Sequence, residues 1–289
     1  MVFHHYSFSQ RRKTSKYELL GGIGPTSFLG DVGGAPGVGT HFLRDLNFSA
    51  TRYNLYAGIR YKTNPYFGFK AMLAYGMVSG NDALTSEPYR HNRNLNFRSP
   101  IVEISAQAEF YFLREKTQTR YRISALKNNR KKNKRTSAYI FVGFGTFFYM
   151  PEAKYQGNWV HLRPLHTEGQ GLPGGPKQYS NFNVCIPIGL GMKYAINKKW
   201  SVGAELSVRK TFTDYIDDVS TTYYDPAKLQ QAYGPVSAAL SNPSLGLIPG
   251  ATAPGQERGN PKYQDAYIFL TFNVNYKLFG KRRITRAKF

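Results

Sequence analysis

The sequence predicts an all-β chain, an eight-stranded antiparallel transmembrane β-barrel with long extracellular loops, on three observations. Apolar and polar residues alternate with a period of two in eight separate segments, as on a pleated strand with two unlike faces. The connections between those segments are alternately short and long. The 289 residues are 15% aromatic, with 22 Tyr, 20 Phe and 28 Gly, a composition tilted toward strands and turns. No run of about 18 apolar residues offers a transmembrane helix. The mean hydropathy of -0.46 is compatible with a barrel, whose alternating strands leave little hydropathy signal.

The first segment runs from about Tyr17 to Leu29. The second, Thr51 to Tyr61, sets Tyr53, Leu55, Ala57, Ile59 and Tyr61 on one side, and the third, Tyr66 to Met77, does the same with Phe67, Phe69, Ala71, Leu73, Tyr75 and Met77. In the fourth, Val102, Ile104, Ala106, Ala108, Phe110 and Phe112 alternate with Glu103, Ser105, Gln107 and Glu109. A soluble sandwich would have to bury those two carboxylates, whereas a barrel turns them into a polar lumen. The fifth strand is expected over Ala138–Met150, the sixth over Phe182–Tyr194, the seventh over Trp200–Thr213 and the eighth over Asp265–Phe279. Segments of about 10 to 14 residues suit tilted strands that cross a bilayer, and the Tyr, Phe and Trp at their ends suit an aromatic girdle.

Lys62-Thr63-Asn64-Pro65 and Ile196-Asn197-Lys198-Lys199 read as tight turns, and 30–50, 79–99, 151–180 and 214–263 as long loops rich in Gly, Pro, Asn and Ser. Short turns belong to the periplasmic side of an outer-membrane barrel and long loops to the outside. An even strand number then puts both termini in the periplasm. Residues 17–279 form the barrel domain, between a periplasmic N-terminal segment (1–16) and a basic periplasmic tail (280–289). Ser7-Phe8-Ser9 before Gln10 fits a small-x-small cleavage site, so the mature chain is expected to begin near Gln10. The connection from Arg114 to Thr136 is the exception, long where a periplasmic turn should be short. A short helix is expected within Asp225–Asn242, and the glycines of GGIG (21–24) and GGAPGVG (33–39) read as bulge and loop residues.

The net charge is +22, and its placement says more than its size. Basic residues crowd the N-terminal segment, the tight turns, the Arg114–Thr136 connection and the tail, all on the expected periplasmic face. Such a face attracts an acidic protein, peptidoglycan carboxylates or lipid phosphates. Lys131, Lys132, Lys134 and Arg135 are the first candidates for partner contact, with Arg282 and Arg283 second. No nucleic-acid-binding motif accompanies the charge, and no nucleic acid is expected as a partner.

Catalysis is not expected. His161, His166 and Glu168 share one long loop with Ser180 beyond it, but their spacing matches no nucleophile elbow or metal-ligand pattern. Asp214, Asp217 and Asp218 in TDYIDD could offer oxygen ligands to calcium, or could cap a strand end; their spacing is not that of an EF-hand loop. No cofactor is implied. The lone Cys185 leaves no intramolecular disulfide or thiolate metal cluster, and an eight-stranded lumen is filled by side chains rather than open as a pore.

SFLGDVG (27–33), RNLNFRSPIVEISAQAEFYF (93–112), YMPEAKYQGNWVHLRPLHTEGQG (149–171) and RKTFTDYIDDVSTTYYDP (209–226) together resemble the PorG-like outer-membrane proteins of Bacteroidota, over about Tyr17 to Phe279. The resemblance implies a non-catalytic component of the type IX secretion and gliding machinery. Such a barrel would anchor or position a periplasmic ring built from a PorK-type lipoprotein and its PorN-type partner. The long basic stretch KNNRKKNKR (127–135) departs from the pattern, so its docking is not carried over. The alternative is a small barrel acting as an adhesin or ligand-binding protein through its extracellular loops.

Overall fold

The computed structural model describes residues 15–32, 50–115 and 135–278. Eight strands close into the expected antiparallel barrel: β1 (Tyr17–Leu29), β2 (Arg52–Lys62), β3 (Phe67–Asn81), β4 (Asn96–Leu113), β5 (Thr136–Tyr149), β8 (Phe182–Ala195), β9 (Trp200–Thr211) and β10 (Ala266–Leu278). Each pairs with the next, and β10 returns to β1 in the register Tyr17↔Leu278 to Leu29↔Ala266. Closure matters because an open edge in lipid would strand backbone N–H and C=O groups without partners. Two short strands, β6 (Glu152–Tyr155) and β7 (Asn158–His161), form a hairpin joined to β4 by the pair Arg98↔Glu152.

The period-two sequence pattern becomes two faces. Along β4, Glu103, Ser105, Gln107 and Glu109 are buried inward while Val102, Ile104, Ala106, Ala108 and Phe110 are exposed outward. Ile23, Ile104 and Leu190 are 62%, 63% and 56% exposed. An apolar band around the whole barrel would be unstable in water and is the surface that hydrocarbon covers. Aromatic pairs fringe it at both ends. Tyr17–Tyr61, Trp200–Tyr276 and Phe67–Phe110 (5.0, 4.7 and 5.3 Å between ring centroids) stand at the short-turn end, with Tyr53–Tyr75 and Phe148–Phe182 at the other. From Phe110 to Val102, which is paired to Tyr75, β4 advances about 27 Å at ~3.4 Å per residue. Tilted by about 40°, it crosses roughly 20 Å of bilayer. The fold is that of a transmembrane barrel.

Both tight turns close in the same way. Asn64 Oδ1 accepts from the N–H groups of Tyr66 and Phe67, and Asn197 Oδ1 from those of Lys199 and Trp200. These Asx turns hold the chain where the backbone ladder ends. The first and last described strand ends lie at this same end.

Several boundaries differ from expectation. β3 and β4 run on to the pair Asn81↔Asn96, so their loop spans only 82–95. It holds a 3-10 turn (Asp82–Leu84) and helix α1 (Pro88–Arg93), capped by the Glu87 carboxylate and ended by Asn94 at φ 59. The expected single helix within Asp225–Asn242 is two, α2 (Pro226–Tyr233) and α3 (Pro235–Ser241), because Gly234 takes φ 90 and Pro235 lacks the N–H to continue. GGIG makes no bulge: the β1–β10 register runs unshifted through Gly22↔Asn273. A Cβ at Gly24 would instead lie 1.9 Å from the Leu270 carbonyl oxygen, so glycine permits a close backbone approach. The register shift lies at Tyr111/Leu113, between β4 and β5. The cleavage site near Gln10, GGAPGVG and the tail 280–289 lie outside the described residues.

Candidate functional site

Three polar regions stack along the barrel axis. The middle one fills the lumen. Arg60 is completely buried. Its Nε binds Glu109 (2.7 Å), Nη1 binds Glu18 (3.2 Å) and the Asn275 side-chain oxygen (2.9 Å), and Nη2 binds Glu205 and donates to the Tyr139 hydroxyl oxygen. Lys70 reaches Glu205 at 2.6 Å and Lys193 reaches Glu18 at 2.8 Å. One layer up, Arg209 pairs with Glu103 at 3.0 Å, and Tyr267 donates to the same carboxylate. Four cations thus meet four carboxylates, and Tyr111 and Tyr139 donate to Glu109 and Glu205. The carboxylates foreseen on β4 are inside, each with a cation. What the sequence did not indicate is the hub, because the carboxylate partners of Arg60 lie 42 to 145 residues away. Side chains fill the bore at this level.

The second region is the short-turn end. Arg135 stands exposed just before β5, its carbonyl held by the Ala195 N–H at 2.8 Å. Lys131, Lys132, Lys134, Arg282 and Arg283 lie outside the described residues. Around Arg135, Lys198 and Lys199 are exposed in their turn. Lys62 lies over the Tyr111 ring at 4.5 Å and Lys277 pairs with Glu115 at 2.8 Å.

The third region is a cap built from the long connections. Glu168, buried, accepts from the N–H groups of Ser220 and Thr221, from the Thr221 hydroxyl and from Arg258 (3.0 Å). Arg258 also donates to the carbonyls of Ser241 and Asp218. Arg93 of α1 pairs with Asp82 at 2.7 Å and donates to the carbonyls of Asp31 and Arg258. Two buried arginines therefore tie four separate segments together.

The sequence's catalytic candidates do not assemble. His161 pairs with Glu152 at 3.1 Å on the exposed hairpin, His166 stacks on Tyr233 at 4.2 Å, and the Ser180 hydroxyl caps the Phe182 N–H. Glu168 is engaged in the cap as described. The TDYIDD carboxylates are also divided. Asp218 turns to the hydroxyls of Tyr179 and Thr167, 2.5 Å from each. Burial raises its carboxyl to about 6, against the pull of Arg258. Asp214 and Asp217 instead join Asp31 and Asp265, two residues that the sequence pattern did not single out. Among the described residues, no three His, Cys, Asp or Glu side chains are grouped as a metal site.

No family model and no curated protein matches the chain. Solved structures similar to it include neisserial surface protein A (9% identity, TM-score 0.39, 91% of this chain and 97% of that one) and OprG of Pseudomonas aeruginosa (8%, 0.40, 92% and 98%). Ail of Yersinia pestis is similar at 9% identity and a TM-score of 0.37, over 91% and 97%. Likeness at this level carries no functional information.

Proposed function

We propose that the chain is a non-catalytic outer-membrane component of the type IX secretion machinery, which anchors or positions a periplasmic ring of PorK-type lipoprotein and PorN-type partner. The observation that carries this reading is the division of charge along the barrel. The lumen consumes its own cations in buried pairs and leaves no open bore at that level. The short-turn end, by contrast, presents Arg135, Lys198 and Lys199 outward. A filled barrel with a basic rim is suited to holding a partner rather than passing a solute. The periplasmic assignment of that rim follows the usual rule for short turns, and the resemblance to PorG-like proteins supplies the partner.

Purification of the tagged protein from outer membranes in mild detergent, with mass spectrometry of what accompanies it, tests the reading. Recovery of a periplasmic lipoprotein and its ring partner is expected. A solitary barrel at low salt and after cross-linking would exclude it. The arginine-tied cap favours one other reading, a ligand-binding or adhesive surface on the long-loop side, since buried arginines hold its segments together before any ligand arrives.

A further inference from the structure

Where β1 leaves the barrel and β9 and β10 meet their loop, four carboxylates from separate stretches of chain come together. Asp31 follows β1, Asp214 and Asp217 follow β9, and Asp265 precedes β10. Three of them clasp one chain segment to another. Asp217 accepts from the Val32 N–H at 3.1 Å, Asp265 from the Ile216 N–H at 2.8 Å, and Asp31 from the Asn260 N–H at 2.7 Å. Asp214 is 8% exposed and Asp265 fully buried. Both carboxylate oxygens of Asp214 and Oδ1 of Asp265 have no hydrogen-bond donor among the described residues. The Ser220 hydroxyl is near Asp214 and eases its ionisation, but makes no well-formed hydrogen bond to it.

The surroundings offer this cluster little positive charge. Arg93, on α1, is committed to Asp82, although its field and that of Arg90 reach Asp31. Arg258 is committed to Glu168. Glu257 and Glu168 add negative charge from the loop ahead of β10 and from the loop after β7, and Tyr149 of β5 faces Asp265. A buried carboxylate without a cation is relieved either by a metal ion or by a proton. No group of three described carboxylates is drawn together as a metal site.

We propose that Asp31, Asp214, Asp217 and Asp265 form a proton-held latch that clasps the cap to the barrel mouth, and that their full ionisation releases the β1 end from the β9–β10 loop. The acid–base behaviour agrees. Burial, reinforced by the neighbouring Asp31 and Glu168, pushes the Asp214 carboxyl up to about 8. Asp217 and Asp265 are raised by burial and then by their acidic neighbours, and Asp31 by burial. A carboxyl whose folded-state pKa is raised keeps its proton where the open chain has lost it. The closed cap is therefore favoured at low pH and loses stability as pH rises from about 4 to about 8.

Amide hydrogen exchange on the full chain in detergent micelles, at pH 6 and pH 9 and corrected for the intrinsic base-catalysed rate, tests the latch. The Val32, Ile216 and Asn260 amides should lose about tenfold or more of their protection at pH 9, one pKa unit being a factor of ten. Leu206, on a barrel strand, should not. Asp214→Asn should flatten that pH dependence. Asp265→Asn, which keeps an acceptor for the Ile216 N–H, should do the same. Protection unchanged between the two pH values, or both variants as pH-sensitive as the parent, would overturn the latch. So would restoration of protection at pH 9 by millimolar CaCl2 alone in the parent but not in Asp214→Asn, which would make the cluster a cation site.

Discussion

The lumen and the cap both bury many charged side chains, and they neutralise them differently. In the lumen each carboxylate has a cation within 3.2 Å, as with Glu18, Glu103, Glu109 and Glu205. In the cap, Glu168 and Asp82 have arginines, but the group around Asp214 has hydrogen-bond donors for only some of its oxygens. The lumen is a balanced set fixed to rigid strands. The cap group hangs on three loop ends, where titration can move chain. Charge buried in a barrel wall serves rigidity; charge buried between loops can serve as a switch.

The largest effect that would break this contrast is expected at the hub. Arg60→Met leaves the buried Glu18, Glu109 and Glu205 short of a cation, and loss of one partner of a buried pair costs about 3–5 kcal/mol. Urea unfolding in detergent, followed by Trp fluorescence, should show that loss; a variant as stable as the parent would mean that Lys70 and Lys193 suffice. A smaller and local effect is expected at Glu168→Gln. Arg258 would keep two carbonyl partners and the field of Asp218 but lose its paired carboxylate, weakening the cap by about 2 kcal/mol. Limited proteolysis should cut the 214–265 loop faster while the barrel midpoint holds. A matching drop of the barrel midpoint would show that cap and barrel are one cooperative unit. The smallest effect is at Arg135→Glu, exposed on the rim, where stability should move by less than about 0.5 kcal/mol. Its readout is ring association at low salt, expected to weaken; unchanged association removes Arg135 from the proposed contact.

Much of the barrel was legible because its signal is local. β1 spans the expected Tyr17–Leu29, and the inward Glu103 and Glu109 are where the alternation placed them. Asn64 and Asn197 stand in turns whose hydrogen bonds reach only two or three residues. The hairpin β6–β7 lies in a stretch expected as loop, where Gln156 and Gly157, at φ 48 and 88, form a turn whose twist suits paired strands. Helix α1 had a signal too, Pro88 at its start and Asn94 just past its end. Within Asp225–Asn242 the break between α2 and α3 also has a local signal, Gly234-Pro235.

The sequence by itself determined how many strands cross the membrane, which face of each meets lipid, and which connections are tight. Those properties follow from alternation and turn residues within a dozen positions of one another. Only the tertiary structure decided which carboxylate meets which cation, that Asp218 parts from Asp214 and Asp217, and that Asp31 and Asp265 take its place. Arg60 and Glu205 are 145 residues apart, and Asp31 and Asn260 229. Barrel closure sets such neighbours side by side, and no local pattern of side chains encodes where a closed sheet brings its ends together.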